Sequence, residues 1–270
     1  NYYSEFLFTA KFISMINYSK MHGNGNDFVI INSIDSNVSL TEDFIKNIAS
    51  RENGIGFDQL ILVEPPKNHE HDFLIRFFNA DGGEAMMCLN GIRCASRYIW
   101  RGNYAPTRKM ILETLNRITL VEPLGETKVI ATIETPNFYK NLELELSLKK
   151  LINTPFSLID AGNLHLCIET DNLDNLKLKE IYKKIESVIK PHQINVSVYK
   201  KNLNNINIAT YENGVGVTLS CGSAAASVAF LNFKEGLALD IISEGGSLNF
   251  LMANDKLIMQ GPTELSFNGV

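Results

Sequence analysis

The stretch Cys88-Leu89-Asn90-Gly91 decides the fold, because it stands between two predicted strands and a helix predicted over residues 92–100. Cys221-Gly222-Ser223 stands in the same place later in the chain, before an apolar helix predicted over residues 224–233. Strands are predicted ahead of both cysteines, at 57–63 and 73–78 in the first half and at 164–169, 194–199 and 207–211 in the second. The same order of elements therefore occurs twice.

Four pairs of polar residues repeat at offsets of 133 to 137 residues. The pairs are Asn26 with Asn163, Gln59 with Asn195, Asn79 with Glu212, and Cys88 with Cys221. A near-constant offset indicates two copies of one folding unit. We therefore expect an α+β fold of two pseudo-symmetric halves, each a mostly antiparallel sheet around a central helix, with the active site in the cleft between them. The halves are predicted as residues 15–117 with 257–270, and residues 118–256.

A cysteine at a helix start is placed for acid and base chemistry. Free backbone N–H groups and the positive end of the helix dipole favour a thiolate, so the pKa is expected to fall towards neutrality. The same N–H groups offer donors to a substrate carboxylate. Thiols from opposite halves would remove a proton from one face of a carbon and return one to the other. Cys94 and Cys167, inside apolar elements, are expected to be buried core residues.

Composition excludes several classes of protein. The chain has 270 residues, 45% hydrophobic and 20% charged, which is typical of globular proteins. A net charge of −5 without a basic stripe argues against nucleic acid, and no apolar run is long enough to span a membrane. Four cysteines without close CxxC spacing indicate reduced thiols in a cytoplasm. The first residues do not read as a signal peptide, and Met15 is expected to be the natural start.

Several blocks of sequence, in order from Lys20 onward, carry a family resemblance. They are Lys20-Met21-His22-Gly23, Gly25-Asn26-Asp27-Phe28, Gly54-Ile55-Gly56-Phe57-Asp58-Gln59, Phe78-Asn79-Ala80-Asp81-Gly82, Asn90-Gly91, Arg93-Cys94, Gly162-Asn163, Tyr211-Glu212, Gly214-Val215-Gly216, Cys221-Gly222-Ser223 and Gly245-Gly246-Ser247-Leu248. With these blocks the chain resembles the diaminopimelate epimerase family, amino-acid epimerases that invert a stereocentre with two cysteines.

The resemblance implies roles for particular residues. Cys88 and Cys221 would be the acid and base, while His165 and Glu212 would support the reacting centre and the substrate's amino group. The expected substrate-binding residues are Asn26, Gln59, Asn79, Leu89, Asn90, Asn163, Asn195, Asn213, Gly222 and Ser223. The implied reaction converts LL-diaminopimelate to meso-diaminopimelate without pyridoxal phosphate, nucleotide or metal. A homodimer with a small amino-acid substrate is expected, with no nucleic-acid or membrane partner.

Two departures from the family pattern bear on the substrate. Asn213 follows Glu212 where the family has an arginine that holds the distal carboxylate, so a bidentate charged clamp is missing. Leu89 stands where the family has a glycine, and its bulk would crowd the approach to the α-carboxylate. Leu164 and Ala224 are milder departures. The departures at Asn213 and Leu89 leave two alternative functions open, namely a related racemase with another substrate and an inactive homologue.

Other interpretations remain. Gly23-Asn24-Gly25-Asn26 imitates part of a dinucleotide-binding fingerprint, but an apolar strand follows where a helix should begin. Cys88, Cys94, His165 and Cys167 would form a zinc or redox module, although their spacing is unusual for one. Asp58 and Asp81 are expected to fix loops through backbone bonds. His69, His71 and His192 are expected to lie in exposed loops.

Overall fold

The computed structural model describes residues 16–34, 38–234 and 236–270. The expectations about Met15 and the segment before it lie outside the described residues. The helices are α1 (Glu42–Ala49), α2 (Leu89–Arg101), α3 (Leu142–Leu151), α4 (Asn175–Ile189) and α5 (Gly222–Asn232), with a short 3-10 turn at Lys190–His192. None of the helices in these ranges is long and apolar enough to cross a membrane.

The strands form one continuous sheet of eighteen members. They are β1 (Tyr18–Gly23), β2 (Asn26–Asn32), β3 (Gln59–Glu64), β4 (Phe73–Asn79), β5 (Glu84–Ala85), β6 (Met110–Glu113), β7 (Ile118–Leu124), β8 (Lys128–Glu134), β9 (Asn137–Phe138), β10 (Phe156–Asp160), β11 (Leu164–Glu169), β12 (Asn195–Lys201), β13 (Asn205–Glu212), β14 (Gly216–Thr218), β15 (Leu239–Ser243), β16 (Gly246–Ala253), β17 (Lys256–Pro262) and β18 (Glu264–Gly269).

Strand pairing repeats between the two halves. Strands β2 and β3 pair in parallel, and so do β11 and β12. The next pair is antiparallel in each half, β3 with β4 and β12 with β13, and a parallel step follows from β4 to β6 and from β13 to β15. The helix between those last strands is α2 in one half and α5 in the other. The predicted α+β class with two similar halves is confirmed.

The predicted boundary between residues 117 and 118 falls between β6 and β7, which pair with each other. The final strand β18 returns to pair with β1, at the other end of the chain. Because the sheet is continuous through these pairings, the division at 117/118 and 256/257 remains a prediction.

The glycine-rich segment before Phe28 is a tight hairpin turn. Strand β1 lies on one side of this turn and pairs with β2 on the other side. Asn24 and Gly25 adopt φ values of 55° and 79°. Two successive positive φ values suit a right-twisted hairpin, and Asn-Gly is the pair that adopts them most readily. The turn places Asn26 at the start of β2.

Helices α2 and α5 are the centres of the largest core cluster. Helix α5 is built from small residues, so it fits between sheet surfaces that contact it all round, and residues 222–229 are buried. Cys94 and Cys167 are 0% and 1% exposed in this cluster, which confirms their predicted core role. Helix α1 is capped by Thr41, whose hydroxyl accepts from the Phe44 N–H at 3.2 Å.

One predicted loop histidine is not exposed. His71 has a side chain only 12% accessible, and its Nδ1 is bonded to the Glu113 carboxylate. Glu113 also accepts from the N–H groups of Lys67 and Asn68, at 2.9 and 3.0 Å. The expectation for His71 was wrong because its partner lies 42 residues away, where no local pattern shows it. His69 and His192 are exposed, as predicted.

Candidate active site

The N-termini of α2 and α5 meet at the boundary between the halves. Cys88 and Cys221 are the residues that cap these two helices. The Asn90 side-chain amide, in the first turn of α2, donates to the Ser220 carbonyl at 3.4 Å. A Cβ on Gly222 would lie 2.8 Å from the Leu89 Cβ, so the two helix starts are in direct contact. The two cysteines are therefore brought together from opposite halves.

Both helix starts have backbone donors without an intrahelical acceptor. The first helical bonds are donated by the Ile92 N–H to the Cys88 carbonyl, at 2.8 Å, and by the Ala225 N–H to the Cys221 carbonyl, at 3.0 Å. The N–H groups that precede Ile92 and Ala225 have no carbonyl of their own helix to bond. One of them, Gly91 N–H, donates to the Cys88 sulfur at 3.4 Å.

The Cys88 sulfur faces an amide of the hairpin turn. Its thiol donates to the Asn26 side-chain oxygen at 3.7 Å. The Asn26 side-chain nitrogen in turn donates to the Asp58 carboxylate at 2.8 Å. Asp58 also accepts from the Asp27 N–H, at 3.0 Å, and from the Arg51 guanidinium, at 2.8 Å. Asp58 thus bonds the backbone of the loop, as predicted, and in addition bonds the side chains of Asn26 and Arg51.

The Cys221 sulfur has different partners. It lies 3.4 Å from the Ser223 hydroxyl oxygen, and its thiol is hydrogen-bonded to the Glu212 carboxylate. Glu212 accepts a second bond from the Thr218 hydroxyl at 2.6 Å. Behind Ser223, the His165 Nε2 lies 2.9 Å from the hydroxyl oxygen. His165 is 0% exposed, and Ser223 links it to Cys221.

Burial sets the direction of the pKa shifts. It raises the pKa of Cys88 to about 12, against the backbone N–H of Gly91, which lowers it. Burial also raises the pKa of Cys221 well above its usual value, and the Glu212 carboxylate raises it further. The expected fall towards neutrality was wrong, because loss of hydration at the packed helix starts outweighs the helix N–H groups. Burial likewise raises the pKa of Glu212 and lowers that of His165 to about 3, so the imidazole is neutral.

The predicted amides lie around this junction at different depths. On paired strands, the Gln59 side-chain nitrogen donates to the Asn79 oxygen at 2.8 Å, while the Gln59 oxygen is buried without a hydrogen-bond partner in the described ranges. Asn163 is exposed and its amide reaches the Ser223 hydroxyl at 3.5 Å. Asn195 is buried and accepts from the Asn213 N–H at 2.9 Å.

Leu89 and Asn213, the two departures from the family pattern, both pack against other residues of the protein. Leu89 is 5% exposed and its side chain belongs to the main core, so its bulk is directed into the core while its Cβ abuts the backbone of Gly222. The Asn213 oxygen accepts from the Tyr182 hydroxyl at 3.1 Å. Tyr182 is itself stacked on Tyr211, with ring centroids 3.8 Å apart. Asn213 is therefore held against α4.

The proposed zinc or redox module does not form. Cys94 and Cys167 lie in the hydrophobic core, and His165 is bonded to Ser223. Among residues 16–34, 38–234 and 236–270, no three histidine, cysteine or acidic side chains are grouped as a metal site would require.

Comparison with known proteins identifies the family. A family model described as diaminopimelate epimerase matches residues 18–138. A diaminopimelate epimerase of Buchnera aphidicola subsp. Acyrthosiphon pisum (strain 5A) is 34% identical over 273 residues, covering 94% of this chain and 95% of that protein. The chain belongs to the diaminopimelate epimerase family. A second diaminopimelate epimerase, from Chromobacterium violaceum, is 31% identical and covers 94% of this chain and 98% of its own length.

Solved structures share the diaminopimelate epimerase fold at lower identity. The crystal structure of a probable proline racemase from Agrobacterium radiobacter K84 matches with a TM-score of 0.72 and 13% identity, covering 95% of this chain and 92% of that one. At this identity the likeness shows the fold alone. The family resemblance predicted from the sequence blocks is confirmed by the two closer relatives, which also leave the dinucleotide interpretation without support.

Proposed function

We propose that this chain interconverts LL- and meso-diaminopimelate by a two-cysteine mechanism that uses no pyridoxal phosphate. One observation carries the proposal, namely that the two helix-capping cysteines come from opposite halves and their helix starts are in contact. The names of the relatives, which cover nearly the whole chain, favour this substrate over the racemase and inactive-homologue alternatives.

The reaction exchanges one proton for another at the α-carbon. One sulfur, as the thiolate, takes the α-proton and becomes a thiol, and the electron pair left on the carbon is delocalised into the α-carboxylate. The other sulfur, as the thiol, gives its proton to the opposite face and becomes the thiolate. The reverse reaction uses the sulfurs in exchanged roles, so Cys88 and Cys221 each act as acid in one direction and base in the other.

The helix starts supply the groups that stabilise this intermediate. N–H groups at the first turns of α2 and α5, at Asn90, Gly222 and Ser223, are proposed to bind the α-carboxylate, where negative charge grows as the proton leaves. Glu212 is proposed to hold the α-ammonium group, since it is the carboxylate beside the sulfurs. His165 is proposed to hold Ser223 in place, because its bond to that hydroxyl is 2.9 Å and its pKa, lowered by burial, keeps it neutral.

The distal carboxylate of the substrate would be bound by side-chain amides, because the family's arginine is absent. Asn79, Asn163 and Asn195, with Gln59 beside Asn79 and Asn26 at the hairpin turn, can each offer donors and acceptors without adding net charge. A hydrogen bond to a charged group contributes about 1.5 to 3 kcal/mol, so an absent arginine weakens binding by about 10- to 100-fold unless these amides compensate. Asn213 is already bonded through Tyr182 and Asn195.

A deuterium-exchange screen tests the substrate. LL- and meso-diaminopimelate and the common L-amino acids are incubated with the protein in deuterated water, and α-deuterium and isomer composition are measured. The expected result is exchange with inversion of the two diaminopimelate isomers alone. Asn213→Arg should strengthen the binding of diaminopimelate, and of no other amino acid, by up to about tenfold. Inversion of another amino acid would identify the racemase alternative, and no exchange with any of them would identify an inactive homologue.

We also propose that the protein is a cytoplasmic homodimer, as its family resemblance implies, with halves at residues 15–117 with 257–270 and residues 118–256. Sedimentation analysis at several concentrations tests the dimer, and a monomer at all of them would reject it. Localisation of the full-length protein tests the compartment.

A further inference from the structure

We propose that Asp58 is a positioning residue that fixes the side-chain amide of Asn26 with its oxygen towards the Cys88 sulfur. The inference deepens the proposed function, and it rests on that function only in taking Cys88 as one of the two reacting sulfurs. Asp58 contacts neither cysteine itself, so it acts through Asn26.

The two ends of an asparagine amide differ chemically. The NH₂ end donates only, and the oxygen end accepts only. A carboxylate accepts only, so Asp58 can bond Asn26 through the NH₂ end alone, as it does at 2.8 Å. The oxygen is then left to face Cys88, whose thiol donates to it at 3.7 Å. Without Asp58, the amide could turn over and present a donor to the sulfur instead.

Asp58 is held in place independently of Asn26. The carboxylate oxygen that Asn26 bonds also accepts from the Asp27 N–H at 3.0 Å. The other oxygen accepts from Arg51 at 2.8 Å, and the Asp58 N–H donates to the Asp27 carboxylate at 2.9 Å. The Asp58 side chain is 43% accessible, so these bonds orient it without burying it. The carboxylate is thus a fixed reference against which the amide aligns.

The orientation of Asn26 decides which form of Cys88 is favoured. An acceptor oxygen stabilises the thiol, whereas a donor N–H stabilises the thiolate. The other titratable or charged groups that act on Cys88 are Glu212 from β13, Arg93 and Cys94 from α2, and Cys221 at the start of α5. In the part of the chain that the structure describes, the Asn26 amide is bonded to Asp58 and Cys88 and to none of these four groups. By fixing the Asn26 oxygen towards the sulfur, Asp58 therefore adds to the burial that favours the thiol form of Cys88.

Site-resolved alkylation tests the role of Asp58. The substrate-free protein is treated with iodoacetamide at about pH 8, where thiolates react, and the rates at Cys88 and Cys221 are read separately from peptide masses. Asp58→Ala should raise the rate at Cys88 by about 5- to 10-fold and leave Cys221 near the wild-type rate, because the released amide can donate to the Cys88 thiolate. Turnover is not measured, so the outcome does not depend on which amino acid is the substrate.

Three further variants separate this role from loosening of the loop. Asp58→Asn keeps a carbonyl but adds an NH₂ group that can donate to the Asn26 oxygen, so the Asn26 amide is no longer held one way round and the Cys88 rate should lie between those of wild type and Asp58→Ala. Arg51→Gln breaks the same charge cluster but leaves the bond between Asn26 and Asp58, and it should stay within about twofold of wild type. Asp58→Ser replaces Asp58→Ala if that variant does not fold, with the same expectation. An unchanged Cys88 rate in Asp58→Ala or its replacement, an equal rise in Arg51→Gln, or an equal rise at Cys221 would overturn the proposal.

Discussion

Cys88 and Cys221 cap helices buried in the same core, but their side-chain partners differ. The Cys88 sulfur meets the amide oxygen of Asn26, whereas the Cys221 sulfur meets the hydroxyl of Ser223 and the carboxylate of Glu212. The repeat of strands and helices places the two sulfurs alike. The side chains added to that repeat make them chemically distinct, as an enzyme that treats two different substrate isomers requires.

The strands beside the two cysteines show where the difference arises. Phe28 lies opposite Gln59 in the first half, and His165 lies opposite Asn195 at the matching position of the second half. The histidine reaches Ser223, but a phenylalanine has no polar atom to offer the first turn of α2. The series from His165 through Ser223 to Cys221 therefore has no counterpart on the Cys88 side, where Asn26 and Asp58 are the supporting residues.

Removing each sulfur in turn is expected to have the largest effect on activity. Cys88→Ala and Cys221→Ala should each lower the rate of inversion by about 10²- to 10⁴-fold, since a positioned acid or base contributes that much. The remaining sulfur can still take a proton and return one to the same face. We therefore expect residual α-deuterium exchange without inversion, with one isomer for Cys88→Ala and the other isomer for Cys221→Ala.

Exchange and isomer composition are measured on the same samples by mass spectrometry and chiral separation. Cys94→Ala is the matched control, since it removes a buried thiol that lies in the core. Inversion by the double variant Cys88→Ala with Cys221→Ala at the wild-type rate would reject the two-cysteine mechanism. Residual exchange with the same isomer in both single variants would reject the assignment of one sulfur to each face.

Much of this arrangement can be read from the sequence where the residues concerned are neighbours in the chain. The cysteines at the starts of α2 and α5 are visible because a cap and its helix are neighbours in the chain. The hairpin at Asn24-Gly25 is local too, since Asn-Gly is the residue pair that most readily forms such a turn. Helix α3 received no prediction, because Leu142 and Leu146 are exposed and blur its apolar face.

The contacts that join distant residues could not be predicted. Asp58 meets Asn26 across 32 positions and His165 meets Ser223 across 58, distances over which a single sequence carries no spacing rule. The predicted direction of the cysteine pKa shifts was wrong for a related reason. The helix dipole follows from local sequence, whereas the burial that opposes it depends on how the halves pack.

Glu212→Gln sharpens the comparison by removing the charge that acts on both sulfurs. The variant should lower kcat/KM by about 10- to 100-fold, because the substrate's ammonium group loses a charged partner. Glu212 raises the pKa of both sulfurs, but it is bonded to the Cys221 thiol alone of the two. Iodoacetamide should therefore alkylate Cys221 faster in the variant, with a smaller gain at Cys88.

Thr218→Val provides the control for Glu212→Gln, since it removes the hydroxyl bonded to Glu212 and keeps the carboxylate. It should leave the ratio of the two alkylation rates near that of wild type. Equal acceleration of both cysteines by Glu212→Gln would show that the carboxylate acts on the two sulfurs alike, against the asymmetry described above.

The pH profile tests whether burial or the helix N–H groups control the pair. Reaction needs one thiolate and one thiol, and burial raises both pKa values, that of Cys88 to about 12. The reactive form thus becomes more abundant as pH rises, and kcat/KM should increase about tenfold per pH unit between about pH 6 and about pH 8.5. The measurement is kcat/KM for both isomers across that range. A plateau reached already near pH 7 would instead support the lowered pKa that the helix starts alone predict.

His165 carries the smallest expected effect, and it appears in stability. Burial lowers the pKa of His165 from 6.5 to about 3. As pH falls below 6.5 the unfolded chain takes up a proton that the folded chain does not, so the stability that neutral His165 contributes is present above pH 6.5 and is lost towards pH 3. The free energy of unfolding of wild type, measured with urea, should fall by about 2 kcal/mol because of this site between about pH 7.5 and about pH 5. His165→Gln should lack that part of the fall. His192→Gln, at an exposed position, should keep it. An identical loss in wild type and His165→Gln would mean that His165 has the same pKa in the folded and unfolded chains, and the imidazole would then take up a proton in acid instead of staying the neutral partner of Ser223.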